Sequence, residues 1–194
     1  MRRRDLLGGF ALLPLLAACG QTAPPPKLPE IRFLHRPRLA LRVARIDIVE
    51  TFQPTGAEPY VEHLMVQPPL PVARAWAEDR LGAEGAYGRA RLLIKDASVR
   101  RESLRKTKGL KGLFTNDQDE RFAARLEARL EVEDGRGARG FAQAEASRSR
   151  TVAEEISLDQ KDRQLFAMIE ELGRDFDVQM EKAIRSHLAD WLAA

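Results

Sequence analysis

Cysteine is almost absent. Cys19 is the only one in 194 residues. A disulfide within the chain is therefore excluded, and stability in an oxidising compartment has to come from packing. Histidine is scarce as well. His35, His63 and His187 stand far apart, with no HExxH, no paired spacing and no Cys/His cluster, so no zinc site is suggested. The chain has no GxSxG, no Walker loop and no GxGxxG behind a strand. A Ser–His–Asp set could be assembled from distant residues in any chain of this length and carries no information. The longest apolar run falls well short of the roughly 20 residues that a membrane-spanning helix needs. Together these absences describe a chain with no enzyme activity, no cofactor and no metal.

Excess charge is also smaller than it looks. The formal net charge is +3, but three arginines and one aspartate, Arg2, Arg3, Arg4 and Asp5, sit at the extreme N-terminus. They open a short secretory signal: a basic start, then Leu6-Leu7-Gly8-Gly9-Phe10-Ala11-Leu12-Leu13-Pro14-Leu15, then small residues. Once they leave, the remainder carries about +1, and a nucleic-acid partner loses its support.

The stretch that ends this signal, Leu16-Ala17-Ala18-Cys19-Gly20, resembles the lipobox of bacterial lipoproteins. The resemblance implies that the Cys19 thiol receives a diacylglyceryl group, that cleavage falls just before it, and that the new N-terminus is acylated. Each buried CH₂ contributes about 0.8 kcal/mol, so two or more acyl chains hold a protein on a bilayer almost permanently. Arg3-Arg4-Asp5-Leu6-Leu7 is similar to a twin-arginine export signal, although a plain basic start explains it nearly as well. Gly20, in the place where an aspartate would retain an enteric lipoprotein in the inner membrane, implies the periplasmic face of the outer membrane, with the inner membrane as the alternative.

The expected organisation is a signal over residues 1–18, a lipid-anchored tether over 19–38, and one periplasmic α+β domain over 39–194. Pro24, Pro25, Pro26, Pro29 and Pro37 make the tether a semi-rigid spacer of about 3.1 Å per residue. Ile31, Phe33 and Leu34 could still dock on the domain as a first edge strand. Leu39 to Phe52 reads as one strand with a bulge at Ala44-Arg45, because the alternation changes phase there. Gln53 to Glu58 is a loop, and Tyr60 to Val66 a short strand. Pro68-Pro69-Leu70-Pro71 leads into a helix whose stripe is Leu70, Ala73, Trp76, Ala77 and Leu81, closed by Gly82. Trp76 reads as a core anchor rather than a ligand platform. Arg89 to Leu104 is a second strand with an irregularity at Asp96.

Arg105 to Asp119 breaks the periodicity. Lys106, Lys108 and Lys111 are interleaved with Leu110, Leu113 and Phe114, and the glycines between them deny a stable helix. Either the apolar residues fold back on the core, or the stretch is a contact loop. In the second case lysines would meet anionic headgroups, lipopolysaccharide phosphates or a partner, while Leu and Phe insert.

Glu120 to Val132 alternates without a slip. Phe122, Ala124, Leu126, Ala128, Leu130 and Val132 face one side, and arginines and glutamates face the other. Such a strand belongs to an antiparallel sheet with one wet face. Asp134-Gly135-Arg136-Gly137 is a turn, and the return strand Arg139 to Val152 turns Ala142, Ala144 and Ala146 inward. Ser157 and Gln160 fit a capping box. From there an apolar stripe runs through Leu165, Ile169, Leu172, Phe176, Met180, Ile184, Leu188 and Trp191, with Gly173 as a place for a bend.

The expected fold is thus α+β: an antiparallel sheet of about four strands, with a short helix and a long C-terminal helix on one face. On a lipidated N-terminus, this order resembles two families of Gram-negative envelope lipoproteins. They are the lipopolysaccharide-assembly lipoproteins of the LptE type and the auxiliary lipoproteins of lipid-transport ABC systems. The resemblance implies a non-enzymatic accessory of envelope biogenesis. Its partners would be the membrane through Cys19, an envelope membrane protein, or lipopolysaccharide or phospholipid. The alternative is a component of an ABC-type lipid transport system; a lipid-anchored hydrolase is the third reading.

Overall fold

The computed structural model describes residues 28–104 and 119–193. Taken in order, the elements are β1 (Leu39–Leu41), β2 (Ile46–Glu50), α1 (Pro69–Arg80), β3 (Leu81–Ala83), β4 (Arg89–Asp96), β5 (Val99–Leu104), β6 (Asp119–Glu133), β7 (Arg139–Ala153) and α2 (Leu158–His187). Short 3₁₀ turns occupy Glu62–Leu64 and Ala189–Trp191.

The hairpin of β6 and β7 is the spine. Its two strands pair antiparallel from Asp119↔Ala153 to Glu133↔Arg139 without a register shift. The alternation read from the sequence is the alternation in space. Phe122, Ala124, Leu126, Ala128, Leu130 and Val132 are all buried, as are Ala142, Ala144 and Ala146 opposite them. At the turn the Asp134 carboxylate accepts the N–H groups of Arg136 and Ala138, each at 2.8 Å. Because β7 takes the whole of one edge of β6, β4 and β5 share the other.

The irregularity expected at Asp96 is the break between β4 and β5. The register shifts between Ile94 and Asp96, the Asp96 carboxylate accepts the Ser98 N–H, and the Ser98 carbonyl accepts the Arg125 N–H. This local bend changes the phase of the alternation, so Ala90, Leu92 and Ile94 before it and Ala97 and Val99 after it all reach the same core.

The sheet differs from the expected one in two ways. It has five strands, and it is mixed, because β2 pairs parallel with β4. The stretch Leu39 to Phe52 is not one bulged strand. β1 belongs to a separate two-stranded sheet, parallel with β3. Residues 42–45 carry the chain from one sheet to the other. The Arg42 N–H donates to the Trp191 carbonyl, and the Ala44 N–H to the carbonyls of Tyr87 and Gly88. The phase change at Ala44-Arg45 therefore marks a change of sheet. Nor is Tyr60 to Val66 a strand. Tyr60 makes an isolated bridge to Arg100, and the 3₁₀ turn follows.

Both helices lie on the alanine-lined face. α1 opens with prolines in its first turn and buries Val72, Ala73, Trp76 and Ala77. It ends at Arg80, one residue earlier than its apolar stripe suggests, because Leu81 pairs with Leu39 in the small sheet. α2 starts on the expected capping box, with Ser157 and Gln160 bonded reciprocally, and runs 30 residues, or about 45 Å. Trp191 lies beyond its end, in the last 3₁₀ turn. There Gly140 leaves room for it: a Cβ on Gly140 would stand 2.9 Å from the indole ring.

Gly173 is a point of close approach, since a Cβ there would meet Phe33 Cζ at 3.1 Å and Val72 Cγ1 at 3.2 Å. Ile31 and Phe33 therefore do dock on the domain, as buried side chains without strand pairing, while Leu34 stays exposed. Replacing Phe33 by Ala should lower the unfolding free energy by about 3–5 kcal/mol, the usual cost of emptying a buried aromatic site. Urea denaturation checks this. A loss below about 1 kcal/mol, within the spread of ordinary surface changes, would mean that residues 28–38 are not part of the cooperative unit.

Candidate interaction surfaces

Three polar features stand out: a buried ion network, an arginine-rich groove and a free strand edge. The network sits where α1, α2 and the N-terminal segment meet. Asp177 Oδ1 accepts Arg80 Nε at 2.7 Å and Trp76 Nε1 at 2.8 Å, and Oδ2 accepts Arg36 at 2.9 Å. Arg80 and Arg36 also reach Glu181, at 2.5 and 3.0 Å. Nearby, Asp79 binds the Arg32 guanidinium through both oxygens and accepts the Phe33 N–H at 2.9 Å. Arg38 bonds the carbonyls of Glu78 and Asp79 at the end of α1.

Burial pushes the Asp177 carboxyl up. The hydrogen bonds from Arg80 and Trp76, the Arg80 charge and the Arg36 hydrogen bond outweigh it and hold the group below its ordinary value. For Asp79 the Arg32 hydrogen bond dominates and again lowers it, against burial and with help from the Phe33 N–H. A general acid needs the opposite shift. These two carboxylates are counter-ions, and the network is an internal clamp. It was not foreseen, although Asp177 interrupts the apolar stripe of α2 and Arg80 follows Trp76 by four residues.

The second feature lies on the wet face of the sheet, where arginines and glutamates alternate and pair across strands, as their spacing suggests. Close to the hairpin turn, four arginines surround two glutamates. Glu133 is shared by Arg89 at 3.2 Å and Arg139 at 3.6 Å, and Glu131 by Arg91 at 3.0 Å and Arg129 at 3.2 Å. The Arg129 guanidinium lies 3.7 Å from the ring centroid of Phe141, whose side chain is half exposed. Arg129 Nε is buried and makes its 3.2 Å ion pair with Glu131 without the alignment of a hydrogen bond. The groove they line has a volume of about 410 Å³. Its excess of guanidinium over carboxylate and its aromatic shelf suit an anionic group with an apolar neighbour.

The third feature is the outer edge of β7, which no strand pairs among the described residues.

The sequence-predicted contact residues Cys19, Lys106, Lys108, Leu110, Lys111, Leu113 and Phe114 all lie outside the described residues. Among those described, no group of three or more His, Cys, Asp or Glu is placed to hold a metal ion, and no helix is long and apolar enough to cross a membrane.

No protein-family model matches the chain, and no curated protein does. Solved structures similar to it include a minor lipoprotein from Acinetobacter baumannii, with a TM-score of 0.38 and 11% identity over 79% of this chain and 98% of that one. Another is rare lipoprotein B from Shewanella oneidensis, with a TM-score of 0.33 and 10% identity over 73% of this chain and 94% of that one. Both are lipoproteins, and both likenesses are too remote to say what this chain binds.

The clamp sets a pH dependence. A carboxylate whose pKa falls on folding adds stability that is present above its unfolded value and is lost as pH drops through the folded one. Stability should therefore hold from pH 7 down to about 5 and fall steeply below about 4. Asp177→Asn should flatten that acid limb. At pH 7 it should also be destabilising, by up to about 3–5 kcal/mol, because the fully buried Arg80 then keeps only Glu181 as its counter-ion. Urea unfolding at several pH values measures both, and an unchanged acid limb would remove Asp177 from the account.

Proposed function

We propose that this chain is a lipid-anchored lipoprotein on the periplasmic side of the cell envelope. In this reading it is a non-enzymatic accessory of envelope biogenesis that binds an envelope protein or an anionic lipid. The observation that carries the reading is Leu16-Ala17-Ala18-Cys19-Gly20 behind a short signal, ahead of a folded domain. The arginine groove at the hairpin turn supports the binding half of the proposal, since it offers unbalanced guanidinium groups at an accessible face. Lys106, Lys108 and Lys111, with Leu110, Leu113 and Phe114, belong to the same proposal as a second contact region. Residence in the outer membrane is the preferred placement, and the inner membrane the alternative.

The competing reading is an ABC-system component that shelters a lipid under its helices. The space between α2 and the sheet works against it. Leu165, Met168, Ile169, Leu172, Phe176 and Met180 fill that layer and are all buried. The grooves that open on the surface, such as the one between Gln143 and Gln179, are lined largely by polar side chains.

Three measurements test the proposal. Metabolic labelling with palmitate should mark the wild-type chain, and Cys19→Ser should abolish the label and leave the anchored fraction. Retained label would end the lipoprotein reading. Pull-down from detergent-solubilised envelopes should recover an envelope protein, or the chain should bind vesicles of anionic phospholipid or lipopolysaccharide. Failure of both sinks the binding half. Where vesicles bind, changing Lys106, Lys108 and Lys111 together to Glu should weaken the interaction and reduce its salt dependence.

A further inference from the structure

Among the described residues, one buried charge stands without a counter-ion. Glu62 opens the 3₁₀ turn Glu62–Leu64, and only 3% of it is exposed. Backbone pairing puts it there. The Arg101 N–H donates to the Pro59 carbonyl at 2.8 Å, Tyr60 bridges Arg100, and the Val61 N–H donates to the Val99 carbonyl at 2.9 Å. Residues 59–61 are thus laid along β5, and Glu62 follows with its side chain inward. Its Oε2 accepts the Val99 N–H at 3.3 Å. Its Oε1 is buried and accepts no hydrogen bond, and no Lys, Arg or His among the described residues forms an ion pair with the carboxylate. Burying a carboxylate is costly unless it is paired, and an apolar side chain of similar volume would avoid that cost.

Glu62 also lines a cavity of about 250 Å³. Phe52 and Tyr60 give it aromatic walls, and Thr55 and Ser98 add side chains that carry hydroxyl groups. The other charges around it are spoken for. Lys95, the one cation among the lining residues, is held by Glu127 at 2.9 Å. Asp96 accepts the Ser98 N–H at 3.0 Å and has Arg125 at 3.6 Å. Arg101 is engaged by Glu58 and Glu120, and Arg100 stands over the Tyr60 ring, 6.0 Å from its centroid. The charge left uncompensated at this cavity is therefore that of Glu62.

We propose that the cavity takes a primary ammonium group, carried by a small amine. The kind of cation follows from the one free oxygen. A guanidinium grips a carboxylate through both oxygens, and here Oε2 is already bonded to Val99. A quaternary ammonium has no N–H to offer. A divalent metal ion wants a cluster of ligands, and none is placed for one among the described residues. An –NH₃⁺ group is a compact charge with three donors. One can serve Glu62 Oε1 and the others the hydroxyl groups of Thr55 and Ser98, with the charge beside the Phe52 ring. The cavity shares no lining residue with the arginine groove, and the proposal does not depend on the lipid anchor.

The Val99 amide, bonded to Glu62, is the reporter. Butylammonium chloride, titrated at constant ionic strength into the full chain in detergent, should move the Val99 amide resonance and saturate. Butanol, butylguanidinium and tetramethylammonium should bind at least about ten-fold more weakly, as expected when a hydrogen bond to a charged group is lost. Glu62→Gln keeps the shape and an acceptor for the Val99 N–H but removes the charge, and it should weaken butylammonium by a similar factor. The series of ligands on the parent chain needs no variant, so the test stands if Glu62→Gln folds poorly. Micelles with phosphatidylethanolamine, compared with phosphatidylcholine, separate two sources of the same group. A Val99 shift with the former alone names a lipid headgroup, and otherwise the source is a soluble amine. The proposal is overturned if butylammonium leaves Val99 unmoved, if potassium or butanol moves it equally, or if Glu62→Gln binds butylammonium as the parent does.

Discussion

How close α2 can lie to the sheet governs much of the remaining architecture. The inward positions of β7 between the turn and its midpoint are Gly140, Ala142, Ala144 and Ala146, and Ala124 and Ala128 face the same layer from β6. With no large side chains to hold it off, a helix can settle almost on the backbone and supply the bulk itself, through Leu165, Ile169, Leu172, Phe176 and Met180. Interiors pack to crystal-like density, so a layer divided in this way between small and large residues leaves no room for a stored ligand. α2 then runs back along the hairpin, and the chain beyond it brings Leu188 and Trp191 against Gly140. The alanine face does not reach the far side of β7. Helix and strand meet face to face, and the strand's outer edge is left over.

The buried clamp is the second consequence. Once α2 is down on the sheet, α1 must pack beside it, and the two helices meet where Arg80 is fully buried. A charge in that position is tolerable only with a partner in good geometry, and Asp177 and Glu181 provide it. Removing either sign is costly because the other remains. The same carboxylates then recruit Arg36, and Asp79 recruits Arg32, so the N-terminal segment is stitched on by charge as well as by Phe33 in the gap at Gly173. Packing fixes the place of the segment, and the ion pairs fix its direction.

What was legible in the sequence follows from how local each signal is. The strand alternation of β6, the turn at Asp134 to Gly137, the capping box at Ser157 and the stripe of α2 are each set by residues within a few positions of one another, and each stands in the structure where its pattern lies. The bulge at Asp96 was legible for the same reason, since a phase change is a local event. The change of sheet at residues 42–45 was not, because a bulge and a crossing produce the same break in alternation. Only the parallel partners at β3 and β4, some 40 residues on, distinguish them. The clamp was missed because stripe reading treats a charged residue in an apolar face as an interruption. Asp177 is intelligible only beside Arg80, on another helix. The wet-face groove drew no notice because each of its arginines pairs with a glutamate; what matters is the surplus, four against two.

The docked segment also bears on the proposed anchor. Eight residues lie between Cys19 and Leu28, so a lipid on Cys19 would leave the first described residue at most about 30 Å from it. That is shorter than the hairpin, whose strands of 15 residues extend about 50 Å. Under that proposal the membrane would act on the domain through a segment held among the helices by Phe33 at Gly173 and by Arg36 at Asp177, so the anchor would pull on the contacts that join α1 to α2 and not on the sheet.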